Sequence, residues 1–135
     1  MPIDNFSGLH FTGQEMQDVD TALQTIEDII RAKSKNFTPD ERQKYGSINE
    51  QNKLLVNKVL DYQKNQPQLA STDVDWKEYN EDFSDRSFLD TRLNRLEGIQ
   101  EMMNDTKIAH DFDNYQAALT DYDYTKYKAS TNAPG

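Results

Sequence analysis

Few residues of this chain could perform chemistry. It contains two histidines, His10 and His110, and no cysteine. Without cysteine, neither a disulfide nor a thiolate metal site can form. No Gly-x-Ser-x-Gly nucleophile motif and no glycine-rich phosphate loop occurs in the sequence. The two histidines fall in different predicted elements, so each is interpreted as a surface or capping residue, and no catalytic residue is predicted.

Carboxylates are abundant, but their spacing does not predict a metal site. Carboxylate-bridged di-metal centres in helical bundles use Glu-x-x-His, whereas Lys107 precedes His110 and Ser7 precedes His10 at that spacing. Asp-x-Asp pairs occur at Asp18/Asp20, Asp73/Asp75, Asp111/Asp113 and Asp121/Asp123. None has the turn glycine of a calcium loop, and residues two apart on a helix point away from each other. We expect neither a metal nor a cofactor, and interpret these pairs as solvated helix surface.

Aromatic side chains are the remaining candidates for a functional surface. Tyr and Trp are enriched at interfaces because they bury a large area and keep a polar handle. We single out Trp76, Phe88, Tyr124 and Tyr127 as candidate interaction residues. Tyr124 does not fit the apolar stripe of its helix and Tyr127 lies off its centre. The alternative interpretation is ordinary core and boundary packing.

The charge distribution excludes several partner classes. The net charge is −9, with eight Lys/Arg against ten Asp/Glu in residues 1–70 (−2) and seven against fourteen in residues 71–135 (−7). Nucleic acids and anionic membranes are bound mainly through basic groups, so neither partner is expected. No stretch is long and apolar enough to predict a membrane span, and no signal peptide is recognised at Met1. We predict a cytoplasmic protein, although a natural leader replaced by Met1 would leave the compartment open.

Helical periodicity dominates the first half of the chain. Thr12 and Glu15 form a capping box that predicts the start of a first helix, whose stripe consists of Met16, Val19, Leu23, Ile26 and Ile30. Thr38-Pro39-Asp40-Glu41 is a second start signal. We expect Tyr45-Gly46 to end this helix after a short run, and Ser47 to cap the next one, which ends before Pro67.

Two further helices are predicted in the second half. Leu89, Leu93, Leu96, Ile99 and Met103 form one stripe; Ile108, Phe112, Tyr115, Leu119 and Tyr122 form another on a shifted register. The shift predicts a helix boundary between Met103 and Asp111, with Asn104-Asp105 favoured over His110-Asp111. The fold class is therefore all-α, an up-and-down antiparallel bundle of four main helices plus a short connecting helix. It is expected to form one domain over residues 1–135, irregular at 1–11 and 130–135.

Parts of the sequence resemble a group of small bacterial proteins of about 130 residues. The segment Phe37-Thr38-Pro39-Asp40-Glu41-Arg42, the ending Ala117-Ala118-Leu119 with Tyr122 and Lys126, and Pro134-Gly135 carry the resemblance. This chain departs from the group at Asn65-Gln66-Pro67, where the group has Asn-Pro, and it stops where the group continues. The group has no established activity, so the resemblance implies a bacterial all-helical domain and no catalytic residue.

Three functions are open from the sequence. The first is a non-enzymatic interaction or structural module that binds a protein partner or itself. The second is a small-molecule-binding bundle or enzyme with a pocket between helices. The third is an acidic mimic of nucleic acid, which the interleaved Arg86, Arg92 and Arg95 disfavour.

Overall fold

The computed structural model describes residues 5, 6 and 8–131, and it is built from helices. Helix α1 spans Gly13–Lys33, α2 spans Pro39–Asn65 and α3 spans Trp76–Ser130. A single 3-10 turn, Pro67–Leu69, follows α2. No strand occurs within the described residues, which confirms the all-α class. In the same part of the chain, none of the helices combines the length and apolar character needed to cross a bilayer.

The helix starts follow the predicted capping chemistry. At α1, the backbone N–H of Glu15 donates to Thr12 Oγ1 at 3.0 Å, and the N–H of Thr12 donates to Glu15 Oε1 at 2.9 Å. The same reciprocal pair joins Thr38 and Glu41 at α2, with Pro39 in the first helical position. Each box satisfies two backbone donors that the first turn leaves without an intrahelical acceptor. The capping boxes predicted at Thr12 and Thr38 are therefore confirmed, whereas the cap predicted at Ser47 is wrong because that residue lies inside α2.

The predicted break at Tyr45-Gly46 is wrong. Helix α2 continues through Gly46 and Ser47 without interruption. A glycine inside a helix costs roughly 1 kcal/mol relative to alanine, and ending the helix there would leave several backbone carbonyls without partners. No proline follows to enforce a stop, so the short connecting helix and the second main helix are one element.

The predicted boundary near Asn104-Asp105 is also wrong. Helix α3 runs unbroken for 55 residues, so the count of four main helices plus a short one is replaced by three helices in the described chain. The register shift between the two apolar stripes does not break the helix. Instead, it turns the second stripe to a different face of the same helix, because successive residues are rotated by about 100°.

The chain divides into two compact units. One unit joins Met1–Gln17 to Asp90–Gly135, and the other is Asp18–Leu89. The single-domain assignment of residues 1–135 stays a prediction. The irregular ends predicted at 1–11 and 130–135 lie partly outside the described residues: 8–12 are not helical, whereas Ser130 still belongs to α3.

In the unit Asp18–Leu89, α2 contacts the beginning of α3. The Tyr79 hydroxyl donates to the backbone carbonyl of Val56 at 2.8 Å. Asn80 Nδ2 donates to the backbone carbonyl of Trp76 at 2.7 Å and reaches Gln63 Oε1 at 3.5 Å. Leu60 is 7% exposed and is the one buried hydrophobic residue in the described part of the chain. Burial in this unit is therefore concentrated where the two helices meet the turn between them.

The described residues bury few of the apolar stripe side chains that a bundle would enclose. The five α1 stripe residues are between 40% and 56% exposed. In a compact domain of this length most large apolar side chains are buried, since burying them is the main favourable term in folding. The sequence correctly placed the apolar residues on helix faces, but the described chain leaves those faces largely open.

Candidate functional site

Contacts at Phe6 and His10 join the N-terminal segment to α3. The backbone N–H of Phe6 donates to Asp113 Oδ1 at 2.8 Å. The rings of Phe6 and Phe112 lie with centroids 5.1 Å apart. His10 and His110 stack at 5.5 Å with an interplanar angle of 23°. The only two histidines of the sequence thus contact each other. This pairing could not be predicted, because it joins residues that lie one hundred positions apart.

Near this segment, the polar face of α3 is more buried than its other faces. Thr106, Ala109, His110, Asp113 and Gln116 are half-buried. They recur at helical spacing and mark one side of the helix. The apolar residues of the same stretch lie mainly on another side and remain exposed.

We call these exposed residues the C-terminal stripe: Ile108, Phe112, Tyr115, Leu119 and Tyr122. They are 37% to 64% exposed. Their spacings alternate between four and three, which is the heptad pattern of a helix seam that packs against another helix. The N-terminal segment contacts this stripe at Phe112, through the ring of Phe6.

A second apolar stripe lies on another face of the same helix. Leu93, Leu96, Ile99 and Met103 are 40% to 62% exposed. Projecting both stripes at 3.6 residues per turn places their centres roughly 120° apart around the helix axis. Sequence analysis identified both stripes but assigned them to two helices, so their different directions on one helix were missed.

A groove is present in the unit Asp18–Leu89. It has a volume of about 490 Å³ and lies between the end of α2, the turn and the start of α3. Val59, Tyr62, Leu69, Val74 and Trp76 line it. Trp76 Nε1 donates to the backbone carbonyl of Ser71 at 2.8 Å, which fixes the indole at the groove wall. The lining is mainly apolar, so this groove suits an apolar group.

The four predicted interaction residues have different surroundings. Trp76 is half-buried and Phe88 is exposed, and both belong to the unit Asp18–Leu89. Tyr124 and Tyr127 are exposed near the end of α3, with Lys128 Nζ 5.5 Å from the Tyr124 ring centroid. Two members thus belong to each unit, and Trp76 lines the groove described above.

Neighbouring carboxylates near the start of α3 change the pKa of Glu78. The Asp82 carboxylate, followed by burial and by Glu81, Asp75 and Asp85, raises the pKa of Glu78 above its ordinary value. Like charges favour the protonated carboxyl. Among residues 5, 6 and 8–131, no group of three or more His, Asp or Glu side chains is arranged to hold a metal ion. The carboxylate cluster is a solvated acidic surface.

No protein-family model, curated protein or solved structure matches this chain. The resemblance to small bacterial proteins stays a prediction. The functional assignment therefore depends on the exposed helix faces and the groove.

Proposed function

We propose that this chain is a non-enzymatic helical interaction or structural module of bacterial origin, which associates through apolar helix faces with a protein partner or with itself. The observation that supports this proposal is the exposure of the apolar stripes on α1 and α3. Such faces are stable in water only when another surface covers them. The absence of cysteine fits a reducing compartment, and a bacterial cytoplasm is the proposed setting.

The exposed area supports the same proposal. The C-terminal stripe residues of α3 are 37% to 64% exposed, and the α1 stripe residues are 40% to 56% exposed. Covering apolar area contributes roughly 25 cal/mol per Å². Covering these side chains would therefore favour association.

Association would also account for the bundle that was predicted from the sequence. Each helix has an apolar stripe that one chain does not bury, and antiparallel bundles form by packing such stripes around a common core. We propose that the bundle predicted from the sequence is completed by helices from more than one chain. The predicted stripes are then the packing surfaces of the assembly.

The interaction function is tested by measuring the state of the chain in solution. Sedimentation velocity across a concentration series should reveal an assembly larger than a monomer, or immobilised protein should retain a specific partner from bacterial lysate. A fluorescent dye that binds exposed apolar surface should bind the unassembled chain. A strict monomer that retains no partner and binds no dye would contradict the proposal.

The groove supports a second candidate, a small-molecule binder. Its volume of about 490 Å³ falls in the range of small-ligand pockets, and its lining is largely apolar. Nuclear magnetic resonance can follow the indole N–H of Trp76, which is the only tryptophan in the sequence. Saturable shifts of this signal with an apolar fragment library would support the candidate, and the variant Val59→Glu should abolish them. Unchanged indole signals throughout the library would remove it.

A further inference from the structure

We propose that the N-terminal segment (residues 5, 6 and 8–12) is a pH-sensitive strap, which the stacked pair His10 and His110 holds on α3 near neutral pH and releases on acidification. Both histidines belong to the same compact unit. The moving element is the segment that precedes α1, and the ligand that drives its release is the proton. Release does not require the apolar stripes to bind a partner, and it therefore stands apart from the proposed interaction function.

The first support is the geometry of the histidine pair. The two ring centroids lie 5.5 Å apart with an interplanar angle of 23°, so the imidazoles face each other. His10 comes from the segment, and His110 occupies a half-buried position on α3. Two neutral rings can stack in this way, and a single proton leaves a cation against a neutral ring, which is also favourable. A second proton places two positive charges face to face and opposes the contact.

The second support is the set of charged groups on α3 beside the pair. Lys107 and Asp111 pair with each other, with Lys107 Nζ 3.0 Å from Asp111 Oδ2. Asp113 lies three residues after His110, and its Oδ1 accepts the backbone N–H of Phe6 at 2.8 Å. The single negative charge of Asp113 favours the first proton on the pair but does not balance two. The doubly protonated pair therefore remains repulsive.

The third support is that the pH range selects the two histidines. Histidine ordinarily gains its proton between pH 5 and 8, where carboxylates, lysine and arginine ordinarily stay charged. The sequence contains no further histidine. In the described part of the N-terminal segment, His10 is the only ionisable side chain. Glu15, in the first turn of α1, is held by the backbone N–H of Thr12 at 2.9 Å. Mild acid therefore acts on this contact through His10 and His110.

The separation of the rings sets the size of the expected change. In water, two unit charges 5.5 Å apart repel enough to shift an equilibrium about threefold, and more where water is partly excluded. His110 is half-buried, so at low salt threefold is the expected minimum. Phe6 reports the release, because it contacts Phe112 with ring centroids 5.1 Å apart and donates its N–H to Asp113.

The experiment measures attachment of the segment by nuclear magnetic resonance in low salt at pH 7.0 and pH 5.0, near the two ends of the histidine range. Nuclear Overhauser contacts between the Phe6 and Phe112 rings identify the attached segment. Protection of the Phe6 amide, corrected for the intrinsic pH dependence of exchange, gives the ratio of attached to released segment. His10→Phe and His110→Phe are the matched controls, since each keeps two rings in the stack but cannot carry two charges. Circular dichroism confirms that each variant keeps its helix content.

We expect the ratio of attached to released segment to fall at least about threefold in the wild-type chain on acidification, and to change less than about 1.5-fold in either variant. An unchanged ratio in the wild-type chain would overturn the proposal. Equal falls in the wild-type chain and both variants would also overturn it, because another group would then release the segment.

A salt series keeps the test decisive even where a variant has already lost the contact at neutral pH. At about 1 M salt the Debye length is about 3 Å, which is shorter than the 5.5 Å between the rings. High salt should therefore restore attachment of the acidified wild-type segment at least about twofold, and should have no comparable effect at neutral pH. A release by acid that salt does not reduce would overturn the histidine pair as its cause.

Discussion

His10 and His110 stack with their ring centroids 5.5 Å apart, and this contact joins the N-terminal segment to α3. Replacing His10 by alanine removes the aromatic neighbour of His110. We expect the ring proton signals of His110 to shift in a nuclear magnetic resonance spectrum, because a stacked ring changes the local magnetic field. Amide exchange at residues 8–12 should also accelerate, since one of the contacts that hold this segment on α3 is gone. Tyr124→Ala, farther along the same helix, should leave both measurements unchanged; a similar response to both variants would contradict the stack.

Tyr79 provides a test of the contact between α2 and α3. Its hydroxyl donates to the carbonyl of Val56, so Tyr79→Phe should lower the free energy of unfolding by about 1 kcal/mol. Denaturant unfolding measures this change. Tyr62→Phe, on an exposed tyrosine of α2, is the matched control and should have little effect. A loss equal to that of the control would show that the hydrogen bond contributes nothing.

Tyr79 should also make the contact sensitive to high pH. Burial raises the pKa of the Tyr79 phenol above its ordinary value of 10.0. A group with a raised pKa in the folded state contributes stability that is complete below the unfolded value and is lost as pH rises through the folded value. Unfolding measured at increasing pH above 10.0 should therefore show a loss that Tyr79→Phe reduces. An identical pH dependence in both proteins would contradict the assignment.

The capping boxes predict a second pH effect, at the acidic end. Hydrogen bonds from the Thr12 and Thr38 backbone lower the pKa of Glu15 and Glu41 below the ordinary value of 4.5. A lowered pKa gives stability that is present above this value and is lost as pH falls through the folded pKa. Helix content followed by circular dichroism should decrease below pH 4.5, and Glu41→Gln should flatten part of the decrease. Glu27→Gln, in the middle of α1, serves as the control and should leave the curve unchanged.

Gly46 tests the continuity of α2. A Cβ added at this position meets nothing within 4 Å, and the residue lies inside the helix. Gly46→Ala should therefore raise the free energy of unfolding by about 0.5–1 kcal/mol, because alanine restricts the unfolded chain and favours the helix. Gly98→Ala in α3 should behave similarly. A destabilising Gly46→Ala would instead support the helix break that the sequence suggested.

The local features of the fold were predictable because they depend on neighbouring residues. Thr12 with Glu15, and Thr38 with Glu41, form the expected caps at the expected helix starts. At the start of α3, Asp75 also accepts a hydrogen bond from the backbone N–H of Glu78, although no cap was assigned to Asp75 from the sequence. A capping hydrogen bond spans three residues, so its signal is complete in the sequence.

Helix continuity and distant contacts were harder to predict for physical reasons. Gly46 was interpreted as a stop, but its cost of roughly 1 kcal/mol is smaller than that of ending a helix without caps. The stripe shift after Met103 was interpreted as a boundary, whereas a continuous helix accommodates it by turning the stripe. The apolar residues of the candidate surfaces were therefore identified from the sequence. Their directions around the helices, the groove beside Trp76 and the pairing of His10 with His110 required the structure.

The single indole of Trp76 has a consequence for how unfolding of this chain is observed. It lies against Ser71 in the unit Asp18–Leu89, and no other tryptophan exists to dilute its emission. Its fluorescence therefore reports the unfolding of the region around Trp76 and Ser71, whereas circular dichroism averages over the three helices of the described chain. If the two compact units unfold independently, the two thermal transitions will separate on heating; if the units unfold together, the transitions will coincide.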